Sequence, residues 1–277
     1  MKLVDRLAAM FPDSSGRTRK QWLERRRVRV NGTVVRRGDA DVSPTDRVEL
    51  GPPAAAPFPA PLRLVHADDD IVVIDKPPGL LTIATQQQRE RTAYRLVSGW
   101  IRETMRERPE RQPLYVVHRL DRETSGLVVF ARTPAVKRQL QAQFEQRAVD
   151  RIYVAVVEGR VRLDSGTLRD RLEEDPSLRV RPARRAGAGR EAITHYRVVA
   201  RRRETTLLEL KLETGRRGQI RAQLAALGHP VVGDARYGAR RDAGRRVCLH
   251  ATRLGFLHPR GQRVRYESPV PPSFTRA

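Results

Sequence analysis

Val117-His118-Arg119-Leu120-Asp121-Arg122-Glu123-Thr124-Ser125-Gly126-Leu127 is the stretch that decides how this chain is read. It is a short polar turn wedged between β-forming runs. Ser125 and Gly126 suit a tight backbone path. Asp121 stands between Arg119 and Arg122, and nearby positive charge holds a carboxylate ionised. On composition alone the simpler reading is a surface salt-bridge cluster or an Asx-turn, and exposed pairs of that kind signal nothing. The surrounding sequence has to decide.

Working outward, Ile71–Ile74, Leu127–Ala131, Ile152–Val157, Thr194–Val199 and Thr206–Leu212 read as strands, being short runs rich in β-branched and aliphatic residues. Thr133-Pro134 is a cap and first-turn pair for a helix reaching about Arg147. A second helix is expected over Gln219–Leu227, with Gly228 placed to end it in a left-handed cap. Arg181–Arg190, rich in Arg, Ala and Gly, reads as a loop. Strands dominate and do not alternate regularly with helices. This predicts an α+β domain with a mixed, mainly antiparallel sheet rather than a Rossmann sheet.

Upstream lies a different kind of sequence. Leu3, Val4, Leu7, Ala8 and Phe11 recur at helical spacing. Ser14 and Ser15 offer cap oxygens for a second helix over Arg17–Glu24. Its surroundings carry Arg17, Arg19, Lys20, Arg25 and Arg26, a basic face suited to phosphates. Val28 and Val30 lead into Asn31-Gly32 and then Thr33-Val34-Val35, a hairpin signal, because a type I′ turn needs positive φ at both central positions. Val48 and Leu50 close this small α/β module as a further strand. Residues 51–61, GPPAAAPFPAP, hold five prolines in eleven residues and read as a semi-rigid spacer. The expected organisation is therefore a small domain at 1–50, a proline-rich linker at 51–61 and a large domain at 62–277.

The chain has 55 Lys plus Arg against 32 Asp plus Glu, a net charge of +23. Only five of the basic residues are lysine, a bias that a GC-rich genome can produce. Codon bias does not explain why acids fail to keep pace, so the excess points to a polyanion such as RNA. Cys248 is the single cysteine, which excludes an intrachain disulfide and an all-thiolate metal site and fits a reducing compartment. Residues 1–13 lack the layout of a signal peptide, and no apolar run is long enough to span a bilayer, so a cytoplasmic protein is expected. Phosphate-cradling GxxxxGK[ST], HExxH and CxxC patterns are absent, and the six histidines are scattered singly. Neither metal nor organic cofactor is expected. No motif demands symmetry, so a monomer is the default.

HRLDRETSGLVVFA resembles the signature of the RluA group of pseudouridine synthases, whose catalytic residue is the Asp of HRLD. The resemblance continues in order through Ile74-Asp75-Lys76-Pro77-Pro78-Gly79-Leu80, Arg151-Ile152-Tyr153, Leu212 to Arg221, Leu227 to Gly238, and Leu249-His250-Ala251. It spans Leu62–Phe274. Residues 1–50 more loosely resemble a small ribosomal-protein-type RNA-binding domain. The resemblance implies an isomerase that turns uridine into pseudouridine in structured RNA, with large-subunit ribosomal RNA the expected target and tRNA the alternative. A catalytically silent RNA-binding or ribosome-assembly protein is the competing class.

Roles follow from the same resemblance. Asp121 is the catalytic carboxylate. Tyr153 stacks on the target base and assists removal of the C5 proton. Arg221 pairs with Asp121 and aims it. Arg119 fills the gap left by a flipped uridine, and His118 and Arg122 join it against the RNA. One departure stands out: the family usually has His where this chain has Gly218, which puts substrate choice rather than the catalytic trio in question.

Overall fold

In a computed structural model of the chain, the structure describes residues 1–51, 57–85, 90–104, 114–176, 179–185, 187–242, 244 and 246–276. Residues 52–56 of the expected spacer lie outside them. The chain divides into two compact units, Met1–Pro57 and Phe58–Ala277.

In the first unit, α1 (Leu3–Met10) buries Leu3 and Leu7 and α2 (Gly16–Glu24) buries Leu23. These meet Val42 and, from a three-stranded antiparallel sheet of order β2-β1-β3, Val28 and Val48, with β1 at Val28–Val30, β2 at Thr33–Val34 and β3 at Val48–Leu50. Ser15 caps α2 by accepting the Thr18 N–H at 3.1 Å. Asn31 and Gly32 have φ of 51° and 80°, as a type I′ turn requires.

The second unit is built on one large sheet. Its strands are β4 (Arg63–Ala67), β5 (Ile71–Lys76), β6 (Tyr115–Val116), β7 (Ser125–Ala131), β8 (Asp150–Glu158), β9 (Ser165–Glu174), β10 (Val180–Pro182), β11 (Arg190–Arg201), β12 (Thr205–Leu212), β13 (Leu249–Leu257) and β14 (Arg263–Glu267). The main path runs β10-β9-β11-β12-β8-β13-β7-β5-β4, with β14 on β13 and β6 on β7. Every pairing is antiparallel except β13 with β7, where His250 lies beside Ser125 and Ala251 beside Gly126. That parallel contact is tight. A Cβ on Gly126 would lie 2.3 Å from the Ala251 carbonyl oxygen, so only glycine lets the two strands meet.

The central strands are buried on both faces, which explains their unbroken apolar runs. Val72, Ile74, Val128 and Phe130 face one side with Val97 and Ile101 of α3 (Ala93–Thr104) and Ile220 and Leu224 of α5 (Gln219–Ala226). Ile71, Val73, Leu127 and Val129 face the other with Val136 and Leu140 of α4 (Pro134–Glu145). The expected loop at Arg181–Arg190 is corrected at both ends. Val180–Pro182 pairs with β9, and Arg190 already belongs to β11.

The fold also gathers histidines that stand apart in the sequence. His66 and His258 both reach Asp68 Oδ2 through Nε2, at 2.8 and 3.1 Å. His258 Nδ1 accepts the Arg260 N–H, so its Nε2 carries the proton and donates to the carboxylate. Burial works against the Asp68 charge. The His66 bond and the backbone N–H groups of Ile71 and Asp70 outweigh it and hold the pKa at about 2. An unfolded Asp titrates near 3.9, so this stabilisation is present above about pH 4 and lost as pH falls toward 2. We expect the gap in melting temperature between wild type and Asp68→Asn to be widest above pH 4 and to close by pH 2. A gap that stays constant across that range would mean the carboxylate charge contributes nothing.

Candidate active site

Asp121 sits in the turn entering β7, and its neighbours in the chain are pinned by the segment that follows β5. The Thr82 hydroxyl donates to the Leu120 carbonyl at 2.8 Å and accepts the Leu120 N–H at 3.2 Å. On the other side, the Arg122 carbonyl accepts the Gly79 N–H at 2.8 Å and the Lys76 ammonium at 3.3 Å. Lys76 is fully buried and also donates to the Pro77 and Leu80 carbonyls, both at 2.8 Å. Burial lowers its pKa to about 7, against the pull of Asp121 and Glu123. The Thr124 N–H donates to the Asp121 carbonyl and closes the turn. Little backbone freedom remains at the carboxylate.

Arg221 approaches from α5. Its guanidinium makes a bidentate fork with Asp234, Nε to Oδ2 at 2.6 Å and Nη2 to Oδ1 at 2.8 Å. The remaining Nη1 points to Asp121 Oδ2 at 3.7 Å. Burial opposes the charge, but Asp234 and then Asp121 raise the Arg221 pKa above its ordinary value. The guanidinium also lies over the Tyr237 ring, 5.0 Å from its centre. The resemblance implied an Arg221–Asp121 pair. The structure has that pair, through the third nitrogen, and adds Asp234, which takes the fork.

Helix α5 has no single apolar face, because its polar side chains are buried as well. Gln219 accepts from Thr214 Oγ1 and the Arg216 N–H and donates to the Ile193 carbonyl. Gln223 accepts from Thr194 Oγ1 and donates to the Leu168 and Ala192 carbonyls. These bonds fix the helix that carries Arg221. Gly218 precedes it with φ of +57°, and a Cβ there would lie 2.9 Å from the Tyr237 hydroxyl. A histidine at this position would have to displace Tyr237, so the departure from the family pattern is matched by its neighbours.

Tyr153 lies on β8 opposite Ala251 of β13 and Leu210 of β12. It shares a narrow cavity of about 50 Å³ with Asp121, Arg221, Ile220 and Leu249. Burial pushes its phenol up to about 12 against the opposing pull of Arg151, so at neutral pH the ring presents a protonated hydroxyl. A wider cleft of about 740 Å³ opens over Asp121 and is rimmed by Arg119, Arg122, Arg217, Arg236 and Arg246. Its size suits a nucleotide-sized group and its rim suits phosphates.

The RNA pseudouridylate synthase family model matches residues 70–226. Ribosomal large subunit pseudouridine synthase D of Haemophilus ducreyi is 32% identical over 293 residues, covering 99% of this chain and 88% of that protein. The protein of the same name from Xylella fastidiosa is 36% identical over 296 residues, covering 96% and 84%. The chain belongs to the RNA pseudouridylate synthase family. Human RNA pseudouridylate synthase domain containing 4 shares the fold of this synthase, with a TM-score of 0.64 over 77% of this chain and 90% of that one, at 24% identity.

The structure brings Asp121, Tyr153 and Arg221 of the synthase to one cavity, with Arg119 exposed at its edge. Arg122 lines the cleft while donating to the Gly79 carbonyl. His118 is placed differently from the expectation that it meets RNA. Its Nε2 accepts the Val129 N–H at 3.2 Å, its ring stacks on Phe144, and burial together with Arg151 lowers its pKa to about 3. It props the motif from within as a neutral ring. In the first unit, Arg17, Lys20 and Arg25 are exposed and Arg26 is half-buried, whereas Arg19 turns back to the Ser14 carbonyl and hydroxyl. Asp234, Lys76 and Arg151 lie in the stretches that carry the resemblance but had no role there, and Thr82 was not singled out. The available signals were a lysine ending an apolar strand and an acid inside a Gly-rich turn.

Asp234→Ala would leave a buried guanidinium facing one carboxylate at 3.7 Å. Breaking such a pair costs about 3–5 kcal/mol, and we expect that loss in denaturant unfolding. A loss below about 1 kcal/mol would show that Arg221 re-pairs elsewhere, as exposed ion pairs do without cost.

Proposed function

We propose that this synthase isomerises uridine to pseudouridine in large-subunit ribosomal RNA, with Asp121 as its catalytic carboxylate. The observation that carries the reading is the convergence on one cavity of a backbone-pinned carboxylate, a fork-held arginine and a buried tyrosine. In this reaction the N1–C1′ bond breaks, the uracil turns, a C5–C1′ bond forms, and the C5 proton is lost while N1 gains one. Nothing is oxidised and no group leaves the RNA, so the chemistry calls for no metal or organic cofactor. A positioned anion beside the sugar–base junction favours detachment, and the Arg221 guanidinium lies 3.7 Å from that carboxylate.

Tyr153 supplies a flat apolar surface for the detached base, which an isomerase must retain rather than release to water. With its phenol held near 12, it acts first as a stacking surface. The uridine reaches the cavity only if flipped out of its helix, and Arg119, exposed at the edge, takes the vacated space. The two relatives named for the large ribosomal subunit align along nearly the whole chain, which favours ribosomal RNA over tRNA. The site lies within Phe58–Ala277 of one chain, in keeping with a monomer, and the proposed substrate is in keeping with work in the cytoplasm.

Unmodified large-subunit ribosomal RNA and bulk tRNA, incubated with wild type and Asp121→Asn and mapped for pseudouridine, test this directly. We expect new pseudouridines in the ribosomal RNA from wild type only, with the variant's RNA affinity within a few-fold of wild type. Folded wild type that modifies neither RNA would establish the silent binding protein instead.

We also assign RNA anchoring to residues 1–50 through Arg17, Lys20, Arg25 and Arg26. Removing them is expected to weaken RNA binding and flatten its dependence on salt, because phosphate contacts dominate both. Unchanged affinity and slope, measured by titration at several salt concentrations, would rule out that role.

A further inference from the structure

A second cavity, of about 500 Å³, lies beside the catalytic one and shares Arg119 and Tyr153 with it. It is enclosed by Phe144 of α4 and the turn that follows β12. Arg151 lies in its lining, two residues before Tyr153 on the same face of β8. It is only 7% exposed. Its Nη2 donates to the Glu213 and Leu212 carbonyls at 2.7 and 3.4 Å, and its guanidinium packs over the Phe144 ring at 5.4 Å. Nη1 is so close to Gly215 that a Cβ there would lie 2.5 Å from it. The turn is thus shaped around a guanidinium.

The charge of that guanidinium is unanswered. Among the described residues no carboxylate lies within ion-pair distance of Arg151, and its buried Nε has no hydrogen-bond partner. Of the two acids in the lining, Glu213 is engaged by His195 and Arg147, and Glu145 stands exposed at the rim. Arg119 and Arg216, both exposed, add two further cations at the mouth. A buried charge without a counterion is costly, and the cost is recovered when an anion arrives. A planar guanidinium matches a phosphodiester, which brings one negative charge and two free oxygens.

We propose that this cavity is an anion subsite holding one phosphodiester of the RNA next to the uridine at Asp121. Arg151 is its buried anchor, and Arg119 and Arg216 are its rim. The inference rests on the RNA-modifying activity proposed above and adds how the strand is gripped while the uridine is turned. Because Arg119 borders both cavities, a strand anchored in one is led directly into the other.

The test uses an RNA oligonucleotide that wild type modifies, bound by full-length Asp121→Asn protein. Single methylphosphonates replace the phosphodiesters around the target uridine one at a time. We expect one linkage within two nucleotides of the uridine to weaken binding about tenfold when neutralised. Arg151→Met in the same background should weaken binding similarly and reduce the salt slope by about one. The two changes together should cost no more than either alone. Losses that multiply at every linkage, or an unchanged slope for Arg151→Met, would overturn the subsite while leaving the activity intact. Should Arg151→Met fail to fold, the scan on Asp121→Asn alone decides: no sensitive linkage, no subsite. If wild type modifies no RNA, the activity falls and the subsite falls with it.

Discussion

A guanidinium cannot be buried without an answer to its charge, and in this synthase the burial of Arg221 organises the site. Two carboxylates, Asp234 and Asp121, answer it unequally. Asp234 is itself buried and takes the bidentate fork, which fixes the plane of the guanidinium. The third nitrogen is thereby committed to one direction, and Asp121 lies along it. The arrangement separates two tasks that a single ion pair would confound: one acid holds the arginine still, and the other stays available for chemistry.

The rest of the second unit serves to bring these groups together. Asp121 arrives on the turn before β7, Arg221 on α5 and Tyr153 on β8, and the strand between β7 and β8 is β13. The parallel contact of β7 with β13 is what lets the Asp121 turn lie beside Tyr153's strand system, and Gly126 is its steric condition. A buried network supports the junction. Arg246 donates to Ser125 Oγ, Ser125 contacts His250 Nδ1, His250 Nε2 contacts Ser268, and Ser268 donates to Asp75. Such chains tolerate little change, because each unsatisfied member would cost its full desolvation.

How much of this was legible beforehand depends on whether the signal was local. Ile71–Ile74 and Leu127–Ala131 could be read as strands because burial on both faces produces unbroken apolar runs. The α4 and α5 helices carried a cap pair and a glycine stop. By contrast β9, SGTLRDRLEE, is exposed along much of its length and looks like a charged loop. β13 was hidden because His250, Thr252 and Arg253 interrupt its apolar residues. At the site, Asp121 stands out only by resemblance, and Asp234 is invisible because its meaning is a partner thirteen residues away across a turn. Arg151 was one arginine among many until its burial and its lack of a counterion were seen together.

The geometry of Arg221, rather than its charge alone, aims Asp121. Arg221→Lys tests it most directly, since an ammonium keeps the charge but cannot hold a bidentate fork and reach a second acid. Single-turnover pseudouridine formation on bound RNA is the readout. We expect a fall of about 100-fold, the scale of a misplaced catalytic group, with folding and RNA affinity preserved. A lysine variant within a few-fold of wild type would contradict it.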